Sequence, residues 1–275
     1  MKESNELDIN EIHNVILQNL SKIIEICDQL NLNYYLAFGS LIGAIRNNGF
    51  IPWDDDCDII MIRSDYEKFK KYCIQNEDVI YPYKLLCREN TENYPYNIVR
   101  FNDMRYKAVY ENTQKYDSGI FVDIYPFDTI GDLNVQQLRA LDRKRAYLQQ
   151  MILWSTDDHY EKSKHNKWYR SLIKGVLRGY SKIRGQKYFM DKMEALKDQY
   201  YNEHGSNVAE IVWDFQTVVC KKEWFDEPQL HQFENLMVKI PSNYDSFLRA
   251  YYGDYMKLPP VEERHPTHEY KIYRR

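Results

Sequence analysis

No stretch of this sequence reaches the about 18 consecutive apolar residues needed to cross a bilayer, so no segment is expected to span a membrane. The first residues, Met1-Lys2-Glu3-Ser4-Asn5-Glu6, are polar and acidic and lack the apolar core of a signal peptide. Cysteine is sparse: Cys27, Cys57, Cys73, Cys87 and Cys220 form no CxxC and no paired spacing. Such an odd, unpatterned set fits free thiols in a reducing compartment, not a disulfide framework. The expected location is therefore the cytoplasm. Also missing is an excess of one charge, the net value being only −4 at pH 7. Without a basic field, a protein that grips a long nucleic acid by counterion release is not expected. There is no internal repeat and no low-complexity tract.

What remains is a chain of 275 residues, long enough for one elaborated domain or two small ones. Its 44% hydrophobic and 28% charged residues are ordinary for a folded protein. The unusual feature is aromatic: 25 Tyr, 11 Phe and 5 Trp. Such rings can line a sugar or quaternary-amine site, although most aromatics in any fold fill the core.

Residues 9–31 carry an apolar stripe (Ile12, Val15, Ile16, Ile23, Cys27, Leu30) at helical spacing. Tyr34 to Phe38 then reads as a buried strand that runs into Gly39-Ser40 and a short helix, Leu41 to Arg46. Asn47-Asn48-Gly49 is a turn, and Asp56 to Ile62 the next strand. Ser64-Asp65-Tyr66-Glu67 has capping-box spacing and predicts a helix from residue 65 to 75. Strand candidates follow at Tyr83–Cys87, Tyr96–Phe101 and Tyr106–Tyr110, then at Ile120–Tyr125, where Pro126 is expected to end the run. Helical periodicity covers 134–152, 165–180 and 186–202, with interruptions expected at Gly175, Gly179 and Gly185. Val208–Phe215 reads as a returning strand and Tyr244–Tyr252 as a helix. The order predicts an α+β fold around one mixed sheet. Its expected divisions are a core over 1–131, a helical subdomain over 132–205, and a segment over 206–275 that completes core and site.

The chemistry gathers around Asp56 and Asp58. Residues two apart on a strand share a face, so these carboxylates project together while Cys57 points into the core. Two adjacent anions repel unless a divalent cation sits between them, and Mg²⁺ takes one or two carboxylates plus substrate phosphates. Gly39-Ser40, between a strand and a helix, can offer amides, a hydroxyl and the positive helix end to a phosphate. Arg46, about two turns on, could reach the same anion. Asp123, alone among apolar neighbours, needs a cation or hydrogen bonds, and is the candidate third carboxylate of a two-metal site. Each piece has a plainer meaning too: a solvated acidic turn for Asp54-Asp55-Asp56, a satisfied structural acid for Asp123.

Gly39-Ser40 followed by Asp56-Cys57-Asp58-Ile59 resembles the signature of the nucleotidyltransferase superfamily. More narrowly, Phe38 to Arg46 and Gly49 to Asp58 resemble the LicD family, as do Gly119 to Asp128 and Tyr252-Gly253-Asp254-Tyr255-Met256 with Pro259-Pro260, Glu263-Arg264 and His268. Ser40 stands where many members have Thr, and Cys57 where an aliphatic residue is usual. The resemblance implies a nucleotidyltransferase-like mixed sheet with flanking helices and an inserted helical subdomain. It implies transfer of phosphocholine, or a related phospho-alcohol, from a CDP-activated donor to a hydroxyl of a cell-surface glycan. Teichoic acid, capsule and lipopolysaccharide are the candidate acceptors, and CMP is released. Asp56 and Asp58 would hold Mg²⁺ or Mn²⁺, with Asp123 as third ligand or as base; Gly39, Ser40 and Arg46 would hold donor phosphates. Arg264, His265 and His268 could touch the leaving group or acceptor, and Trp53 or a Tyr near the motif could form a cage for trimethylammonium. A lipid-linked acceptor would bring the protein to the inner face of the membrane. Two rivals are a nucleotidyltransferase adding NMP to a small molecule or protein, and a non-catalytic glycan- or choline-binding module.

Overall fold

The computed structural model describes residues 6–110, 116–155, 168–213, 216–266 and 270–275. The helices are α1 (Ile9–Leu30), α2 (Phe38–Asn47), α3 (Arg63–Gln75), α4 (Glu77–Ile80), α5 (Val135–Ser155), α6 (Trp168–Arg184), α7 (Gln186–Tyr200) and α8 (Tyr244–Tyr252). The strands are β1 (Tyr35–Leu36), β2 (Asp58–Ile62), β3 (Tyr83–Leu86), β4 (Val99–Asp103), β5 (Tyr106–Tyr110), β6 (Ile120–Ile130), β7 (Asn207–Glu210), β8 (Cys220–Lys221), β9 (Gln229–Phe233), β10 (Leu236–Ile240) and β11 (Tyr270–Arg274). The fold is α+β.

A mixed sheet in the order β1-β2-β6-β4-β3 organises the chain, with β7 and then β8 continuing beyond the far half of β6. Among the described residues only β2 and β6 run parallel; their register sets Asp58 opposite Asp123 and Ile62 opposite Phe127. β9 and β10 form a hairpin, and β11 returns to pair with β5. α1 and α3 lie against β6, and the main core is built from residues such as Ile16, Leu20, Phe69, Phe101 and Val122, all essentially without exposure. A second apolar cluster joins Leu141, Met151, Phe189 and Met193 of α5 and α7 to Ile130, Ala209 and Ile211 at the end of β6 and β7. Among the described residues no helix is long and apolar enough to cross a membrane.

Several boundaries differ from the sequence expectation, each for a physical reason. α1 is set by a capping box that the apolar stripe does not reveal: Asp8 accepts from the Glu11 amide and Glu11 from the Asp8 amide, both at 3.0 Å. The box expected at Ser64 does not form, because α3 already begins at Arg63 without a side-chain cap. Glu67 pairs instead with Arg63 and Lys70. Pro126 does not end β6. On that edge Ile120–Ile124 pair with β4 and Phe127–Ile130 with β7, so proline falls in the gap where no antiparallel partner requires its missing amide. α6 runs through Gly175 and Gly179, since an isolated helical glycine costs only about 1 kcal/mol, and breaks at Gly185, whose φ is +76°. The stretch 165–167 of the expected helix and 214–215 of the expected strand lie outside the described residues.

Gly43 fixes how α2 meets the loop that follows it. A Cβ there would lie 2.5 Å from the Gly49 carbonyl oxygen and 3.1 Å from the Ile51 nitrogen, both backbone atoms that cannot swing aside. Gly43→Ala is therefore expected to destabilise the protein by about 1–3 kcal/mol despite better helix propensity, as overpacking does. A denaturant titration checks this, and an unchanged midpoint would refute the close approach.

Candidate active site

The turn from β1 into α2 is tighter than the sequence implies. α2 starts at Phe38, so Gly39 and Ser40 belong to its first turn. Phe38 itself holds φ at +49°, the left-handed region that a bulky aromatic residue adopts only under constraint. The constraint is visible: the Ala37 amide donates to the Asp58 carbonyl at 3.0 Å, tying the turn to β2. Ser40 is buried, and its hydroxyl oxygen accepts from the Asp58 amide at 2.9 Å. Ser40 thus anchors the strand that presents Asp58. Gly39 makes room for an acid: a Cβ there would sit 2.9 Å from Oδ2 of Asp54. That carboxylate lies where the first-turn amides and helix dipole favour negative charge. The loop carrying it is held by His13, whose Nε2 lies 2.6 Å from the Asp54 carbonyl oxygen, and by the Tyr270 hydroxyl, which donates to Asp55.

Asp56 precedes β2 and Asp58 is its first residue, so the strand starts two residues later than expected. Asp58, Asp123 and Arg100 then form one row across three strands, fixed by register: Asp58 faces Asp123, and Asp123 faces Arg100. Arg100 is buried and donates from Nε to Asp123 Oδ1 at 2.7 Å and from Nη2 to Oδ2 at 3.3 Å. Its guanidinium carbon lies 4.2 Å from the Tyr96 ring centre and 4.1 Å from that of Phe121. The isolated acid of β6 is thereby satisfied. Asp58 is not: its Oδ1 is buried without a hydrogen-bond partner. Burial pushes its carboxyl well above the usual range, and the charges of Asp56, Asp123 and Asp54 push it further, with Arg100 offsetting only part.

An orphaned carboxylate oxygen beside a second acid is a chemically suitable partner for a hard cation. Among the described residues, however, no group of three or more His, Cys, Asp or Glu side chains is gathered tightly enough to hold a metal ion alone. The residues therefore fit a cation held by one or two carboxylates, with the remaining ligands from substrate phosphates and water, and not a cage made wholly of protein.

Asp58 also lines a cavity of about 400 Å³, whose other walls include Phe38, Tyr125, Trp213, Tyr251 and Tyr252. Phe38 meets Tyr125 and Tyr251 edge-on at ring-centre distances of 5.2 and 5.1 Å. Trp213 is placed by a buried chain of hydrogen bonds. Glu210 Oε1 accepts from the amides of Val212 and Trp213, each at 2.6 Å, and its Oε2 from Arg145 of α5, also at 2.6 Å. Arg145 further donates to Thr217 at 2.7 Å. Burial holds the Tyr125 hydroxyl well above its ordinary pKa, and the charge of Asp58 adds to this, so the ring stays neutral.

Of the catalytic and phosphate-binding candidates, Asp58 alone is in this cavity lining; Gly39 and Ser40 shape the turn behind it, and Asp123 lies opposite it on β6. Arg46 lies in the last turn of α2, away from the cavity lining, and donates to Asn47. Partial burial and the like charge of Arg264 lower its pKa, so two guanidiniums approach one another there. Trp53 does not belong to the cavity, because Arg264 lies over its ring at 5.5 Å. His265 is exposed, with Nδ1 3.0 Å from the Pro266 carbonyl oxygen, and His268 lies outside the described residues. Sequence reasoning missed Arg100, Arg145, Glu210 and Trp213. A signal existed for Arg100, a lone cation in the apolar run Ile98 to Phe101 that matches Asp123 in the apolar run Ile120 to Tyr125.

A strand-to-helix turn feeding its hydroxyl to the next strand, with carboxylates at the heads of two parallel neighbours, is the arrangement of a nucleotidyltransferase-type domain. The LicD/FKTN/FKRP nucleotidyltransferase domain matches residues 31–153. Over 98% of both chains the sequence is 27% identical to the lipopolysaccharide cholinephosphotransferase LicD of Haemophilus influenzae. It is also 30% identical to an uncharacterised protein of Rickettsia typhi, over 41% of this chain and 42% of that one. An uncharacterised protein of Rickettsia prowazekii is 27% identical over 41% of this chain and 50% of its own. Residues 31–153 thus match the LicD family model, and the likeness to a LicD protein runs along nearly the whole chain.

The unpaired Asp58 has a measurable consequence. Its folded pKa lies above the ordinary 3.8, so the native state binds an extra proton between the two values. Stability is lost as pH rises through that window. In metal-free buffer Asp58→Asn is expected to melt higher than the wild type at neutral pH, with the gain shrinking toward about pH 4, where the unfolded carboxyl is protonated as well. Melting curves across that range test this. A variant that melts lower at every pH would contradict it.

Proposed function

We propose that this protein transfers phosphocholine from CDP-choline to a hydroxyl of a lipopolysaccharide-type glycan and releases CMP. The observation that carries the reading is the shared wall: one cavity presents an unpaired carboxylate, Asp58, beside the aromatic faces and edges of Phe38, Tyr125, Trp213 and Tyr251. Aromatic rings attract a quaternary ammonium through their quadrupoles, by about 2 kcal/mol when desolvated. A phosphate one short linker away from that ammonium would then fall near Asp58. The full-length similarity to a lipopolysaccharide cholinephosphotransferase supports the same head group and acceptor class.

Asp56 and Asp58 are the proposed holders of Mg²⁺, or Mn²⁺ in its place. Such a cation, when bound, would neutralise the donor diphosphate and the developing charge on the CMP leaving group. The protein's own contribution is positional. Ser40 fixes Asp58 through its amide, and Gly39 admits Asp54 at the helix start. Asp123, whose two oxygens each accept one hydrogen bond from Arg100 and each keep a further lone pair, is the proposed third carboxylate, as cation ligand or as the base that takes the acceptor hydroxyl's proton. Arg46 and Arg264, close enough to perturb one another, are the proposed pair for an anionic group of the donor that extends beyond the cavity. The acceptor oxygen attacks phosphorus as the bond to CMP breaks, and the aromatic walls keep the head group in line.

Nucleotide release from CDP-choline, CDP-ethanolamine, CDP-glycerol and CDP-ribitol, with and without Mg²⁺ or Mn²⁺, tests the proposal. CMP release is expected to require the cation, to favour CDP-choline, and to vanish in Asp56→Asn and Asp58→Asn. Trp213→Leu is expected to lower the preference for choline over ethanolamine by about ten- to thirtyfold, mostly through KM. Nucleotide retained on the acceptor would mean a nucleotidyltransferase instead, and unimpaired Asn variants would remove the carboxylates from the reaction.

A further inference from the structure

Positive charge is spread along the chain but stands without opposing acids in one stretch. Between Glu161 and Asp191 the sequence contains no acid, while Lys and Arg recur from Lys162 to Lys187. With a net charge of −4 for the whole chain, the remainder is correspondingly acidic. α6 lies within this basic stretch, and one side of it is apolar and open. Ile173, Val176, Tyr180 and Ile183 are 56, 72, 37 and 86% exposed. Their spacing of three, four and three residues places them on one helical face. Gly175 and Gly179 extend that face, and a Cβ at either would meet nothing within 4 Å. The helix is attached to α5 and α7 by a different side, through Leu177 and the fully buried Ser181. On the helical period Lys182 borders the apolar face on one edge and Arg184 on the other.

We infer that α6 is a membrane-surface helix, which seats its Ile173–Ile183 face in the interface of an anionic phospholipid bilayer. An apolar stripe edged by cations, with no acid on the helix, is the composition that lies in a lipid interface. At 17 residues and with five cations, the helix lies along the surface and does not cross it. Charge decides the occupant. A second copy of the chain would bring two cationic faces together, and a nucleic acid would leave the aliphatic stripe in water. An anionic bilayer satisfies both features, and it repels the acidic remainder so that α6 leads the contact. The inference does not depend on the transfer reaction, because α6 contributes nothing to the cavity lining.

The test is sedimentation of the full chain with vesicles, without any donor or acceptor. Binding is expected to vesicles of phosphatidylglycerol and phosphatidylcholine in equal parts, to weaken as salt rises, and to be absent with phosphatidylcholine alone. The variant I173N/V176N/I183N alters only exposed side chains. It is expected to keep its melting temperature while its partition coefficient falls about tenfold or more. K182Q/R184Q is expected to lose about fivefold per charge removed. No binding to the anionic vesicles, or equal binding by the triple variant, overturns the inference. So does light scattering that shows a dimer split by the same three substitutions, which would make the face a contact between copies.

Discussion

Two carboxylates, Asp58 and Asp123, face each other across the parallel strands β2 and β6, and the sheet must hold both. Their repulsion is resolved unequally. Arg100, one strand further on, takes Asp123 with two hydrogen bonds and is itself sandwiched between Tyr96 and Phe121. Nothing comparable reaches Asp58 Oδ1. The strand order makes this possible: placing β6 between β2 and β4 puts one acid next to the cation and leaves the other at the cavity. If β4 slipped by one residue, Arg100 would turn to the opposite side of the sheet and two buried acids would stand unpaired. Register, not proximity in sequence, is what creates the site.

The aromatic excess is divided between two uses. Much of it serves the protein's own cations, as with Tyr96 and Phe121 around Arg100, Trp53 under Arg264, and Tyr66 near Arg63. The rings around the cavity differ in enclosing space, and their placement depends on the helical half of the chain. Arg145 sits in α5, yet through Glu210 it fixes the backbone that carries Trp213. A helix that seems remote from the chemistry thereby sets one wall of the pocket. Arg63, bonded to Asp128 of β6 and paired with Glu194 of α7, ties the same helices to the sheet from the other side.

Local signals were legible in the sequence where local physics decides. The stripe of α1, the span of α8, and the acids at 56, 58 and 123 all follow from periodicity or from a charge in an apolar run. The LicD-type motifs gave the family for the same reason, being compact and chemically distinctive. What sequence could not give depends on long-range pairing. Ser40 reads as a phosphate donor until its hydroxyl is seen accepting the Asp58 amide. Arg145 reads as one solvated charge among many in α5 until Glu210 arrives from 65 residues away. Trp213 carries no periodic signal at all. Pro126 misled because its meaning depends on which strand lies beside it.

Among the described residues, buried side-chain atoms without a hydrogen-bond partner occur on Asn19, Asp58, Tyr94, Arg145 and Gln186, and of these only Asp58 is an acid. The buried ion pairs Arg63–Asp128, Arg100–Asp123 and Arg145–Glu210 are each closed by charge-assisted hydrogen bonds of 2.6–2.7 Å. A chain that satisfies its interior charges this consistently has no structural need for an orphaned, proton-retaining carboxylate at Asp58. Nor does it need an aromatic residue at positive φ, which costs about 1–3 kcal/mol. Both occur, and both line the same cavity: Phe38 is held in the left-handed region by the turn that Ser40 and Ala37 tie to Asp58. A strained turn and an unsatisfied carboxyl thus stand on one cavity wall, and both follow from the hydrogen bonds that tie α2 to the start of β2.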